Sequence, residues 1–173
     1  MPRIFVLTGG PCTGKTATLE ALRKRGCIVS GEAARKVIER EMNKGSDALP
    51  WKDRDAFQRS VLDEQKELEA GLRGEKDAFL DRGIPDGLVY YRLDGLEPPK
   101  ELLEAARETR YDRVFVLDIL PEYETDESRR EDPETMRKIH MLVKDVYREL
   151  GYEIVEVPVM SVEKRVDFIL DRV

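Results

Sequence analysis

Hydrophobic and polar positions follow two rhythms along this chain of 173 residues. Short apolar runs bounded by polar residues or glycine lie at Arg3–Thr8, Cys27–Ser30, Asp77–Gly83, Arg113–Asp118 and Glu153–Pro158. Their length and β-branched content predict five short strands, the third including its exit turn. Between them apolar residues recur every three or four positions. This predicts helices over Thr16–Arg25, Glu32–Asn43, Asp53–Leu72, Pro85–Leu93, Pro99–Thr109, Pro133–Leu150 and Val162–Val173. The long third helix carries Phe57, Val61, Gln65, Leu68 and Leu72 on one stripe, with Asp53 as candidate N-cap. In the sixth, Met136, Ile139, Val143, Val146, Tyr147 and Leu150 face inward. The stretch "KGSDALPW" and the polar, proline-bounded segment Leu120–Pro133 break the rhythm as loops. Strands separated by helices imply an α/β fold, a five-stranded parallel sheet with helices on both faces. No repeat or linker divides the sequence, so one domain over residues 1–173 is expected.

Directly after the first strand stands "GGPCTGKT". Gly9, Gly14, Lys15 and Thr16 satisfy the spacing G-x-x-x-x-G-K-[ST], the P-loop or Walker A motif. The glycines let successive N–H groups turn inward into an anion nest, and the helix that follows adds its positive end. Gly9, Gly10, Pro11, Cys12, Thr13, Gly14, Lys15, Thr16 and Ala17 are therefore the candidate nucleotide-binding residues. Lys15 would reach the β- and γ-phosphates, and the Thr16 hydroxyl would ligate Mg²⁺. The regular expression alone is weak; a buried strand before it and a helix after it make it strong.

Composition narrows the partners. Net charge is −6, so no broad basic surface advertises a nucleic-acid backbone as partner. Charged residues make up 38% of the chain, well above the ordinary quarter or so, and hydrophobic ones 40%, as in a soluble globule. The two cysteines, Cys12 and Cys27, are too few for a disulfide framework. The N-terminus runs straight into a strand, and no apolar run approaches the roughly 20 residues that span a bilayer, so a cytoplasmic protein without a membrane partner is expected.

Several side chains are candidates for chemistry. Asp81 in "FLDRG" ends a buried strand, where it could hold a Mg²⁺-bound water as a Walker B carboxylate does, or merely cap the next turn. Glu32 follows the second strand three residues before Arg35 and could orient or deprotonate an acceptor hydroxyl. The plainer alternative is a helix N-terminal acid favoured by the dipole. Arg129 and Arg130 lie in the segment of about 120–133 that small-molecule kinases use as a lid, though such charge alternation also suits solvated surface. Trp51 and Phe57 could stack on a flat ring or pack the helix entrance. Gln58 and Gln65 could read a polar ligand, with Gln65 the better placed. His140, the only histidine, is expected at the surface or half-buried.

The ordered set "FVLTGGPCTGKT", "SGEAARKVIER", "LPWKDRDAFQRSVLDEQ", "FLDRGIPDGLVYY", "DESRREDPE" and "LGYEIVEVP" resembles, over nearly the whole chain, small AAA-type P-loop domains related to the NadR nicotinamide-riboside kinase domain. That group is mixed: metabolite kinases, NTPases, and an animal relative that binds GTP and phosphoinositides. The resemblance implies the sheet order 2-3-1-4-5. It implies Glu32 and Arg35 at the acceptor, Asp81 and Arg82 at the magnesium and phosphate region, and Asp86 with Tyr90 or Tyr91 at substrate. It also matches Arg129 and Arg130 to lid arginines.

Two function classes follow. In the first, Mg²⁺–ATP (GTP possible) donates its γ-phosphate to a small hydroxyl-bearing acceptor, with Lys15, Glu32, Asp81, Arg129 and Arg130 as catalytic residues and Arg35, Trp51, Arg82 and Asp86 at the substrate. In the second, the same lid serves a nucleotide switch that regulates a protein or lipid. End-phosphorylation of a nucleic acid suits the acidic balance poorly. No N-K-x-D tetrad stands in "VPVMSVEKR", which leans towards adenine.

Overall fold

A computed structural model describes residues 2–72, 74, 76–121 and 132–173. The strands are β1 (Ile4–Thr8), β2 (Ile28–Gly31), β3 (Ala78–Asp81), β4 (Arg113–Leu117) and β5 (Ile154–Val157). The helices are α1 (Lys15–Lys24), α2 (Ala33–Lys44), α3 (Arg54–Gly71), α4 (Asp86–Leu93), α5 (Lys100–Glu108), α6 (Pro133–Glu149) and α7 (Val162–Leu170). All strands pair in parallel in the order β2-β3-β1-β4-β5, as the family resemblance implies. Chain connections diverge around central β1, and in open parallel sheets the crevice at such a carboxyl edge is where ligands collect.

The near-continuous apolar character of β1 has a simple cause: both faces of the sheet are covered. Phe5 and Leu7 point to one face, where Phe79, Phe115 and Leu117 meet Leu19 and Leu22 of α1 and Val166 and Ile169 of α7. Val6 points to the other, where Leu80, Val114 and Val116 meet residues of α3, α4, α5 and α6. On α3 the observed stripe turns from the expected one. Phe57, Gln58, Leu62 and Gln65 are buried, while Leu68 and Leu72 are only half-buried. Asp53 is its N-cap, accepting the Ala56 N–H at 3.0 Å.

Register brings the site together. Leu7 and Gly31 both stand opposite Asp81, on its two sides. A Cβ on Gly31 would lie 2.5 Å from that of Asp81, at a φ of +147°, so only glycine lets β2 end this close. No described helix is long and apolar enough to cross a membrane.

Candidate active site

The glycine loop runs from the end of β1 into α1. Gly14 is the N-cap of α1 in the left-handed conformation, and a Cβ there would meet Arg165 Nη1 at 2.5 Å. Half-buried Lys15 curls back over the loop, its Nζ donating to Gly9 O at 3.2 Å, Gly10 O at 3.0 Å and Thr13 Oγ1 at 3.3 Å. Burial, reinforced by the Arg82 charge, pushes its ammonium down to about 7, against the pull of Asp81 and Asp86. A phosphate is a stronger acceptor than three neutral loop oxygens.

Two side chains from distant helices brace this loop. Arg165 of α7 is 5% exposed. Its Nη1 donates to Thr13 O at 3.0 Å and Thr18 Oγ1 at 3.2 Å, and its Nε to Met160 O at 3.2 Å. Among the described residues no carboxylate pairs with it, and burial lowers its pKa. A buried positive charge thus sits directly beneath a loop suited to anions. His140 of α6 is the second brace, and here the expectation of a surface or half-buried position is corrected. It is 4% exposed, because Gly10 packs on it and donates its N–H to Nδ1 at 3.1 Å. That bond requires the neutral ring with its proton on Nε2, which lies 3.4 Å from Asp118 Oδ1. Neither brace was seen as functional in the sequence. Arg165 was detectable as a charged residue at an inward position of an apolar helix face, beside Val166 and Ile169.

Asp81 occupies the carboxyl end of β3, and its Oδ1 is buried with no hydrogen-bond partner among the described residues. Burial raises its pKa, opposed by Arg82 and Lys15. A buried acceptor left unpaired costs about 1–3 kcal/mol, so it calls for a ligand. Beside it opens a cavity of about 360 Å³, rimmed by Thr16, Glu32, Asp81 and Arg82 and walled by Ile38, Phe57, Leu62 and Leu102. This is at the small end of the about 300–1,000 Å³ typical of small-molecule sites. Among the described residues three non-glycine ones hold left-handed backbones, and all are here: Cys12, Glu32 and Arg82. Strain of this kind gathers at functional sites.

A family model described as "AAA domain" matches residues 4–165. The chain belongs to this AAA-domain family. Among curated proteins there is no match. Solved structures similar to this AAA-domain chain include deoxyadenosine kinase from M. mycoides, with its products bound (14% identity, TM-score 0.65, covering 98% of this chain and 97% of that one). NadR in complex with NAD and AMP-PNP is similar at 19% identity and TM-score 0.71, over 98% of this chain but 49% of NadR, so the chain spans about half of that protein. Thymidylate kinase from Ehrlichia chaffeensis is similar at 12% identity and TM-score 0.70, over 98% and 97%. These likenesses establish the fold, that of P-loop nucleoside and nucleotide kinases.

Within this AAA-domain fold the sequence candidates sort as follows. Thr16 and Ala17 are exposed on the first turn of α1, and Pro11 and Cys12 are half-buried. Glu32 is the N-cap residue of α2 but makes no capping bond; its carboxylate pairs with Arg35 at 3.3 Å instead. Both side chains line the cavity. Asp86 also lines it, yet its oxygens are engaged by Thr8 Oγ1 at 2.5 Å, Tyr147 OH at 2.6 Å and Gly83 N at 3.0 Å. It also lies 3.5 Å from Arg82 Nη1. Asp86 therefore acts as a buried brace at the place where substrate contact was expected. Tyr90 lines the cavity, whereas Tyr91 is buried with its hydroxyl on Asp55 at 2.6 Å. Trp51 is 45% exposed and is not among the residues lining this cavity, whereas Phe57 is buried and lines it. Gln65, the favoured reader, has its Nε2 committed to Glu69 at 2.9 Å and Arg82 O at 3.2 Å. Arg129 and Arg130 lie outside the described residues.

Proposed function

We propose that this chain is a cytoplasmic, Mg²⁺-dependent kinase that passes the γ-phosphate of ATP, or of GTP, to a hydroxyl of a small acceptor seated in the cavity. The observation that carries this reading is the buried Oδ1 of Asp81, unpartnered among the described residues, between the glycine loop and the open cavity. Oxygen donors from Asp81 and Thr16 fit a hard divalent cation, which would neutralise charge on the transferring phosphoryl group. Lys15 turns from the loop carbonyls to the phosphates, and the loop amides cradle them. Arg165 supports the loop from below and adds positive potential. Glu32 orients the acceptor hydroxyl and takes its proton as the new P–O bond forms and the nucleoside diphosphate leaves. Its pairing with Arg35 does not prevent this. Both partners are substantially exposed, and such pairs are worth about 0–1 kcal/mol, so the carboxylate is readily released. Arg129 and Arg130, outside the described residues, are assigned to the phosphates by the family resemblance. The nucleotide analogue and products bound to NadR and deoxyadenosine kinase support a nucleotide at this fold's glycine loop.

Calorimetry with Mg²⁺ and ATP or GTP tests this directly. Lys15→Ala should weaken binding on the order of 100-fold, since charge-assisted hydrogen bonds are worth about 1.5–3 kcal/mol each. Identical heats for both proteins would end the proposal. Glu32→Gln should keep nucleotide affinity and lose phosphate transfer; unchanged turnover removes Glu32 from the mechanism.

A further inference from the structure

Glu69, in the last turn of α3, is not among the residues lining the cavity, yet three donors converge on its carboxylate. Gln65 Nε2 donates to Oε1 at 2.9 Å, Tyr111 OH donates to the same oxygen at 2.7 Å, and Thr109 Oγ1 donates to Oε2 at 3.4 Å. Burial raises the Glu69 pKa, and these three bonds oppose the rise. Two of the donors also reach the backbone that follows β3. Gln65 Nε2 has a second hydrogen, which goes to Arg82 O at 3.2 Å, and Tyr111 OH accepts the Ile84 N–H at 2.9 Å. Between them Asp86 accepts the Gly83 N–H at 3.0 Å. Three consecutive residues are each pinned by a side chain, and two of the three pins lead back to Glu69.

The residue that begins this stretch needs holding. Arg82 has a φ of +68°, a left-handed backbone that a residue with a Cβ disfavours. Its guanidinium stands between the glycine loop and the cavity, with Nη1 3.4 Å from Gly9 O and 3.5 Å from Asp86. Without its pins the backbone relaxes and the guanidinium moves with it. A displacement of about 1 Å at a group that meets reacting atoms costs on the order of 100-fold in rate.

We propose that Glu69 is a positioning residue for phosphate transfer: as the common acceptor of Gln65 and Tyr111 it locks the left-handed turn at Arg82 and so aims that guanidinium at the transferring group. This rests on the phosphotransfer reading above. Lys15 and the loop amides make no contact with the clamp, so the nucleotide binds without it and only alignment is lost. Removing an interaction made only in the transition state lowers kcat and kcat/KM together and spares KM.

The test uses the full chain with Mg²⁺ and ATP, following ADP formation with water as the acceptor, and AMP-PNP for affinity. Glu69→Leu should lower kcat at least tenfold and leave the ATP KM and the AMP-PNP affinity unchanged. Glu69→Gln, whose Oε1 still accepts from Gln65 and Tyr111, should recover most of the lost kcat. Tyr111→Phe keeps the packed ring and cuts one of the two chains. It should give an intermediate loss, and it carries the test if Glu69→Leu does not fold. In an Arg82→Gln background neither Glu69→Leu nor Tyr111→Phe should lower kcat further, because the group they aim is gone. Equal losses with and without Arg82 would make Glu69 merely structural and overturn the proposal. A raised KM with kcat intact, or Glu69→Gln as impaired as Glu69→Leu, would overturn it too. Hydrogen exchange reads the clamp independently of turnover. Glu69→Leu should speed exchange of the Ile84 N–H at least tenfold more than that of Val6 in the central strand, and equal acceleration of the two would overturn the proposal. Failure of AMP-PNP to bind the wild type would overturn the kinase reading itself.

Discussion

Around the glycine loop, the Lys15 ammonium and main-chain groups of Gly10 and Thr13 are held by protein partners, whereas on the cavity side some side-chain atoms are left unused among the described residues. Lys15 has three loop acceptors, Gly10 N–H has His140, and the carbonyl of Thr13 has Arg165. Across the rim, Asp81 Oδ1 and the Gln58 carboxamide have no hydrogen-bond partner among the described residues. The first region is a prebuilt receptacle for a ligand common to many proteins, and its rigidity comes from α6 and α7. The second is incomplete until a particular molecule supplies the missing partners. General recognition is written in the main chain; selectivity is left as unmet hydrogen bonds.

Breaking the receptacle should have the largest effect. Arg165→Met strands the Thr13 and Met160 carbonyls, at about 1–3 kcal/mol each if unpaired, while the Thr18 hydroxyl keeps its bond to Gly14 O at 2.9 Å. A net loss of about 3 kcal/mol should lower the melting temperature by roughly 6–12 °C and weaken nucleotide binding in parallel. A melting curve that overlays the wild type would show that the loop holds its shape without this brace. His140→Leu deprives one buried N–H of its acceptor and should cost about 1–3 kcal/mol, with His140→Asn recovering part of it. The same bond predicts a pH response. Burial, then Lys144, lowers the His140 pKa below its ordinary 6.5. The stabilisation is therefore complete above about 6.5, the unfolded value, and is lost as pH falls through the lower folded value. Denaturant titrations of wild type and His140→Leu between pH 4 and 7 should converge at the acid end (a pH range on the order of the histidine titration).

Proton linkage sharpens the contrast further. In the free protein Lys15 sits at about 7, and a bound polyanion favours its charged form. Nucleotide binding should then take up close to one proton near pH ~8, and affinity should fall about tenfold per unit as pH rises above ~7. Calorimetry in buffers of different ionisation enthalpy measures this uptake, and Lys15→Ala should abolish it. The smallest effect belongs to Trp51→Ala. Exposed and outside the cavity, it should change stability by no more than about 0.5 kcal/mol and leave the acceptor KM untouched.

The same contrast explains what could be read from the sequence. The glycine loop was legible because its chemistry occupies consecutive residues, Gly9 to Thr16, between a strand and a helix. Strands buried on both faces were legible as apolar runs, and α6 from its period. Asp81 was found because β3 ends there. The braces and the cavity were harder. Arg165 and His140 meet the loop from about 150 and 130 residues away in sequence, through packing that no local pattern encodes. Gln65 looked better placed than Gln58 on the expected stripe, yet both are buried, and Glu69 and Arg82 O claim the Nε2 of Gln65. Trp51 and Phe57 were both candidates for stacking or packing at the helix entrance, and the fold buries Phe57 on α3 while Trp51, before the helix, stays 45% exposed.

The left-handed trio Cys12, Glu32 and Arg82 has a practical corollary for protein engineers. Each holds a backbone that glycine adopts without steric penalty, so glycine at those three positions is the obvious route to a hardier scaffold, gaining on the order of 1 kcal/mol apiece. Two of the three swaps would delete a side chain at the mouth of the cavity. Heat tolerance and turnover are thus set against each other at single residues, and variants selected only for surviving high temperature should drift towards inactive ones.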